Sequence, residues 1–262
     1  MDFIQELKKR KVIRVALLYG AVAWLLIQVA DTIAPLMGLS ETAPRLVIML
    51  DARGHGGSSM PPVGAISDPA GDIAECLDLL ELEQVFVLGH SVGAVAAAQF
   101  TAAHNERVTG LILEDPTFRD ETVVPSEKMV AAFTSQMEQL QAMELAEVIE
   151  QGRIQHPTWD NSEFAAWAQA KRQVNPAILR QCNFPSWQGV LDGVRVPTLM
   201  MRGQAGDSAL STQTAKTITS RYPHIQSVVI QDAGHNIRRE NFALFIERVL
   251  LFTGVEQVPT NS

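Results

Sequence analysis

The chain has 262 residues, which is enough for one α/β domain with a subdomain inserted into it. Hydrophobic residues make up 47% of the sequence and charged residues 19%, so a sizeable core is available and global disorder is not expected. The net charge of -8 argues against a nucleic-acid partner, because binding to phosphates requires a basic face.

The first forty-odd residues differ in composition from the rest of the chain. A basic run lies between Lys8 and Arg14, and a mostly apolar stretch continues from there to about Leu39. Residues 12–30 are long enough to span a bilayer, which takes about 20 residues. This segment is similar to the membrane anchor of certain bacterial tetratricopeptide-repeat and adenylate-cyclase-type proteins. Two interpretations of residues 1–44 stay open: an anchor that enters the membrane through residues 12–39, and a helix that covers the sheet of the following domain.

A regular alternation of strands and helices is predicted to begin at Arg45. Residues 45–50 are apolar and predict a strand, and a glycine-rich loop, DARGHGGS, follows at residues 51–58. A helix is expected to begin at Pro69, because proline suits the first helical position and Asp68 or Ser67 can cap the free N–H groups.

The sequence around Ser91 carries the strongest functional signal. Residues 85–88 predict a short buried strand, GHSVG at residues 89–93 fits G-x-S-x-G, and an alanine-rich helix follows. A serine at the apex of a sharp strand-to-helix turn has an exposed hydroxyl, and the N–H of Val92 is available to a developing oxyanion. We expect the turn to be too tight for side chains at Gly89 and Gly93.

The strand rhythm stops after the next strand, predicted at residues 108–113 and followed by Glu114-Asp115-Pro116. Residues 117–193 show helical spacing and turns, which predicts a helical lid inserted into the α/β core of residues 45–116 and 194–262. Large apolar side chains in the lid are candidates to line a substrate pocket. They are Phe133, Trp159, Trp167 and Trp187.

Two further strands are predicted after the lid, at residues 197–201 and 227–230, and each is followed by a turn with a candidate functional side chain. Asp207 lies in the first turn and His235 in the second. Strands that alternate with helices pair in parallel, and their carboxyl ends meet at one edge of the sheet. We therefore expect Ser91, Asp207 and His235 to converge there.

Together these segments resemble the α/β-hydrolase superfamily, in its branch of lidded esterases and C–C-bond hydrolases. The motifs that carry the resemblance occur in the family's order between about residues 45 and 252: DARGHGGSS, GHSVG, LEDP, the turn at 203–207 and DAGH. The resemblance implies a mostly parallel sheet flanked by helices, although the usual first strands are lacking before residue 45.

The resemblance also implies roles for three residues. Ser91 would be the nucleophile, His235 the general base and Asp207 the acid that orients the histidine. Asp115, which follows a strand as well, is the alternative acid. Family members normally have a His-Gly loop that donates one oxyanion N–H, and none precedes Arg45. Val92 is therefore the expected donor, and residues 35–40 are the candidate source of a second.

The predicted function is hydrolysis of small carboxylic esters through an acyl-enzyme on Ser91, in a bacterial carboxylesterase without metal or organic cofactor. Two alternatives stay open: a C–C-bond hydrolase of vinylogous diketones, and a hydrolase fold that only binds. The partners expected are a small ester, a membrane if residues 12–39 insert, and a second copy of the chain in a homodimer. The sequence leaves open whether the protein is cytoplasmic or attached to the inner membrane.

Overall fold

The computed structural model describes residues 47–254. The chain divides into two units: one consists of residues 1–49 and 256–262, and the other runs from Leu50 to Val255. The predicted anchor and the expected second oxyanion donor at residues 35–40 lie outside the described residues.

A parallel sheet forms the centre of the unit that begins at Leu50. Its four strands within residues 47–254 pair in the order β1-β2-β3-β4, and every pair is parallel. The strands are β1 (Val85–His90), β2 (Val108–Glu114), β3 (Thr198–Gly203) and β4 (Ile225–Ile230). The α/β class with a parallel sheet is thereby confirmed.

Helices connect the strands, as parallel pairing requires. Among the helices of residues 47–254, one lies before β1 and one after it, three longer helices and a short one lie between β2 and β3, and three follow β3. They are α1 (Pro69–Leu79), α2 (Val92–Ala103), α3 (Glu127–Ala142), α4 (Leu145–Gln155), α5 (Glu163–Arg172), α6 (Trp187–Leu191), α7 (Thr212–Arg221), α8 (Ile237–Glu240) and α9 (Phe242–Thr253). Short 3-10 helices occur at Asn105–Arg107 and Ile178–Gln181.

Local sequence signals account for several helix boundaries. Helix α1 begins at Pro69 as predicted, and the Asp68 carboxylate accepts a hydrogen bond from the N–H of Gly71 at 2.9 Å. Helix α7 begins at Thr212, where Ser211 caps it by accepting a hydrogen bond from the N–H of Thr214.

Apolar residues of the sheet and its helices form the main core. Leu111 and Leu113 of β2 and Met200 of β3 are fully buried against the alanine-rich face of α2. Burying one such side chain stabilises the fold by about 1.5–3 kcal/mol. The small side chains of α2 let that helix approach the sheet closely, which fixes the turn that precedes it.

The prediction of a strand at residues 45–50 is wrong for the part that the structure describes. Residues 47–50, the part that the structure describes, have no strand conformation, and their apolar side chains are exposed, with Val47 at 84% and Met49 at 93%. An apolar run becomes a strand only where a partner strand and a core receive it, and neither can be read from the run itself.

The segment predicted as a lid is helical, as expected. We call residues 117–193 the helical insert; it contains α3 to α6, and Trp159, Phe164 and Trp167 form a core with Val148. Within residues 47–254, the structure contains no helix with the length and hydropathy needed to cross a bilayer.

Candidate active site

Ser91 lies at a strained turn between β1 and α2. Its backbone has φ 58° and ψ -120°, a conformation that non-glycine residues rarely adopt. The turn is possible because a Cβ on Gly89 would lie 2.2 Å from the carbonyl oxygen of Gly93, so only glycine fits at residue 89. The prediction that Gly93 also has no room for a side chain is wrong, since a Cβ there would meet open space.

The Ser91 hydroxyl contacts the ring of His235, as the sequence predicted for these two residues. His235 Nε2 lies 3.0 Å from Ser91 Oγ, although the residues are 144 positions apart. His235 follows β4 and Ser91 follows β1, so both lie at the carboxyl end of the sheet.

The other ring nitrogen of His235 binds Asp115 rather than Asp207. His235 Nδ1 lies 2.6 Å from Asp115 Oδ2, and the Asp115 side chain is completely buried directly after β2. The assignment of the orienting carboxylate to Asp207 is therefore corrected to Asp115, the alternative acid of the sequence analysis. Asp207 is exposed, and its carboxylate packs on Gly234, where a Cβ would lie 1.9 Å from Oδ1.

Asp115 is held by a set of donors that the sequence analysis did not identify. Ser208 Oγ donates to Oδ1 at 2.6 Å, and the N–H groups of Ala209 and Leu210 donate at 2.7 and 3.3 Å. The only signal in the sequence is that Ser208 lies in the turn after a strand, which does not distinguish it from its neighbours. These bonds fix the carboxylate so that one oxygen faces the His235 ring.

The pKa values follow from these contacts. Burial alone would raise the pKa of Asp115, but the hydrogen bonds from His235, Ser208 and the two N–H groups outweigh it, so the pKa lies below its usual range. The hydrogen bond to Asp115 raises the pKa of His235 against the effect of burial, and the charge of Asp207 adds to the rise. Asp115 thus stays ionised, and His235 is a stronger base than a free imidazole.

Two neighbouring contacts hold the histidine loop and the end of β2. His90 Nε2 lies 2.8 Å from the carbonyl oxygen of His235, and burial lowers the pKa of His90, which favours the neutral ring. The buried carboxylate of Glu114 accepts from the N–H and the guanidinium of Arg238 at 2.9 and 2.8 Å. A paired buried charge of this kind is costly to break, so the pair stabilises the contact between the end of β2 and α8.

Val92, the predicted oxyanion donor, directly follows Ser91. Val92 is the first residue of α2, and the N–H groups of a helix's first turn have no acceptor within the helix. The side chain of Val92 is 51% exposed, so the start of α2 is accessible to solvent at this residue. A carbonyl oxygen bound there would face the positive end of the α2 dipole.

The four predicted pocket residues do not form one group. Trp159 and Trp167 pack in the core of the helical insert, whereas Trp187 packs against the sheet and donates from Nε1 to Asp120 at 2.9 Å. Phe133 is half-buried in α3. The amphipathic helices of the insert need a core of their own, and the tryptophans supply it.

A serine, a histidine and a carboxylate in this hydrogen-bonded chain can activate the serine hydroxyl as a nucleophile. Among residues 47–254, no group of histidine, cysteine and carboxylate side chains is arranged to hold a metal ion. The chemistry that these side chains can perform is proton transfer and nucleophilic attack.

Comparison with known proteins agrees with the fold. The chain is 26% identical over 209 residues to the esterase YbfF of Escherichia coli, covering 74% of this chain and 77% of that protein. It is 26% identical over 221 residues to the pimeloyl-[acyl-carrier protein] methyl ester esterase of Aeromonas hydrophila, covering 79% and 85%. A solved esterase from a marine microorganism superimposes with a TM-score of 0.55 at 23% identity, covering 77% of this chain and 82% of that one.

The family match extends over most of the sequence. The alpha/beta hydrolase family matches residues 19–248, so the match begins well before residue 45, where the resemblance in the sequence analysis began. With the parallel sheet and the strained turn at Ser91, this match establishes that the chain belongs to the alpha/beta hydrolase family.

Proposed function

We propose that the protein is a serine hydrolase that cleaves small carboxylic esters through an acyl-enzyme on Ser91. The observation that carries this proposal is the continuous chain from Ser91 Oγ to His235 Nε2 at 3.0 Å and from His235 Nδ1 to Asp115 at 2.6 Å. The esterase names of two relatives that each cover about three quarters of the chain support ester hydrolysis as the reaction class.

In the acylation step, Ser91 Oγ attacks the ester carbonyl carbon while His235 Nε2 takes the hydroxyl proton. The carbonyl oxygen becomes negative and is stabilised by the N–H of Val92. The tetrahedral intermediate then collapses, the bond to the alcohol oxygen breaks, and His235 returns its proton to the leaving alcohol.

In the second step, water replaces the serine as the nucleophile. His235 takes a proton from the water, the hydroxide attacks the acyl carbon, and the bond to Ser91 Oγ breaks as the serine recovers its proton. Asp115 stays ionised throughout and stabilises the imidazolium that forms in each step. The products are the carboxylic acid and the alcohol, so no redox cofactor takes part.

The experiment is a panel of p-nitrophenyl esters of increasing acyl length, with a vinylogous diketone included. We expect turnover of the short esters, and a fall of about 10⁴-fold or more in Ser91→Ala, because no other group replaces the nucleophile. Ser211→Ala is the control, since Ser211 only caps α7. Ester turnover that survives in Ser91→Ala, or a diketone cleaved faster than every ester, would contradict the proposal.

A further inference from the structure

The carboxylate of Glu240 connects the loop that carries His235 to the helical insert. Glu240, at the end of α8, accepts from the N–H of Gly234 with Oε2, and Gly234 directly precedes His235. Its other oxygen, Oε1, accepts from Trp159 Nε1 at 3.3 Å, a residue of the insert 81 positions away. Glu240 therefore bridges the insert and the backbone beside the proposed base.

The other supports of this loop come from the sheet domain. The carbonyl of His235 receives a hydrogen bond from His90 at 2.8 Å, and the carbonyl of Ala233 receives one from the N–H of Ala205 at 2.9 Å. Both donors lie at strand ends of the sheet domain. Glu240 supplies a hydrogen-bonded contact between the insert and this loop.

The insert side of the bridge is firmly packed. Trp159 is only 5% exposed, and its ring stacks on His156 with centroids 4.0 Å apart. The guanidinium of Arg239 lies 4.7 Å from the Trp159 ring centroid, and its Nε donates to Glu163 of α5 at 3.0 Å. A displacement of Trp159 is therefore resisted by the insert and is passed on to α8.

We propose that Glu240 is a positioning residue through which the helical insert holds His235 in line with Ser91. The inference rests on the proposed function and adds to it a role for the insert in the chemical step rather than only in substrate binding. Glu240 touches neither the substrate nor the reacting atoms, and it acts through the backbone of Gly234.

The donors at the bridge explain why a carboxylate is needed. Trp159 Nε1 and the N–H of Gly234 are both donors, so the residue between them must offer two acceptors. Glutamine has nearly the same shape but replaces one acceptor with an NH₂ donor, which would face an N–H group. Glu240→Gln therefore breaks one contact without opening a cavity.

The first test measures amide hydrogen exchange in the peptide that contains Gly234, by mass spectrometry and without substrate. The variant is Trp159→Phe, which keeps an aromatic ring but removes the donor to Glu240. We expect exchange at Gly234 to become about fivefold faster, the factor that corresponds to one typical net hydrogen bond. Trp167→Phe is the matched control, because it truncates a neighbouring ring of the same cluster that gives Glu240 no hydrogen bond.

The second test measures kcat and KM separately for Trp159→Phe, Glu240→Gln and the double variant. We expect kcat to fall about fivefold in each single variant with KM within about twofold, and the double variant to lose little more, since both changes break the same bridge. If Trp159→Phe fails to fold, Glu240→Gln still tests the bridge, because it leaves the aromatic cluster unchanged.

The outcomes separate this inference from the proposed function. The inference would be overturned if Trp159→Phe had the same exchange rate and the same kcat as Trp167→Phe. It would also be overturned if Trp159→Phe and Glu240→Gln changed only KM. Ester turnover that survives in Ser91→Ala would overturn the proposed function alone, because the exchange measurement reports on the bridge whether or not an ester is hydrolysed.

Discussion

The turns after β2 and β3 each present an aspartate near His235, but only one aspartate is built into the hydrogen-bond chain. Asp115, after β2, is fully buried and binds the His235 ring at 2.6 Å, whereas Asp207, after β3, is exposed and packs on Gly234. The β3 turn instead contributes Ser208 and the N–H groups that hold Asp115. The position of an acid at a strand end therefore does not assign its role, whereas its burial and its hydrogen-bond donors do.

The largest expected effect comes from Asp115→Asn. The amide cannot stabilise an imidazolium and favours the wrong tautomer of His235, so kcat should fall about 10³- to 10⁴-fold. The measurement is steady-state hydrolysis of the best ester from the panel, with folding checked by thermal melting. A fall in kcat of less than tenfold would mean that a group other than Asp115 orients His235.

The pH dependence of kcat/KM tests the contact between Asp115 and His235. The base must be neutral to act, and Asp115 raises the pKa of His235 above its ordinary value of 6.5, so the acidic limb of kcat/KM should lie above pH 6.5. Below that limb the rate should fall about tenfold per pH unit, since protonation removes the base. A limb below pH 6.5 would show that the bond to Asp115 does not control the titration of His235.

Ser208→Ala should have an intermediate effect. It removes one donor to the Asp115 carboxylate and leaves the donor N–H groups of Ala209 and Leu210 in place. We expect kcat to fall about tenfold, because a hydrogen bond to a charged group contributes about 1.5 kcal/mol at the lower end of its range. Ser220→Ala on α7 is the control, and an equal loss there would mean a general effect on stability.

The smallest effect is expected from Asp207→Asn. The carboxylate is exposed and does not bind the His235 ring, so kcat should stay within about fivefold of wild type. Removing that charge should move the acidic limb slightly to lower pH, because Asp207 contributes to the raised pKa of His235. A loss of kcat as large as that of Asp115→Asn would mean that Asp207 also orients His235.

Sequence patterns were sufficient where the information is local. Ser91 is recognisable because a strand, a tight turn and a helix follow one another within nineteen residues, and Pro69 with Asp68 marks a helix start through capping alone. The parallel sheet followed from the alternation of strands and helices, and it placed His235 at the edge where Ser91 lies.

Contacts between distant segments could not be predicted in this way. Asp115 and Asp207 both follow strands, and the bonds from residues 208–210, more than ninety positions from Asp115, distinguish them. The bridge from Trp159 to Glu240 spans 81 positions, and no spacing in the sequence indicates it. The exposed run at residues 47–50 shows the converse, since an apolar pattern alone did not produce a strand.

The most direct test of the central claim is the rate at which a fluorophosphonate modifies Ser91, measured by intact mass for wild type, Asp115→Asn and Asp207→Asn. This rate reports activation of the serine without knowledge of the natural ester. We predict a rate in Asp207→Asn close to wild type and a rate in Asp115→Asn lower by about 100-fold or more. Slow modification of Asp207→Asn beside a normal rate in Asp115→Asn would contradict the account.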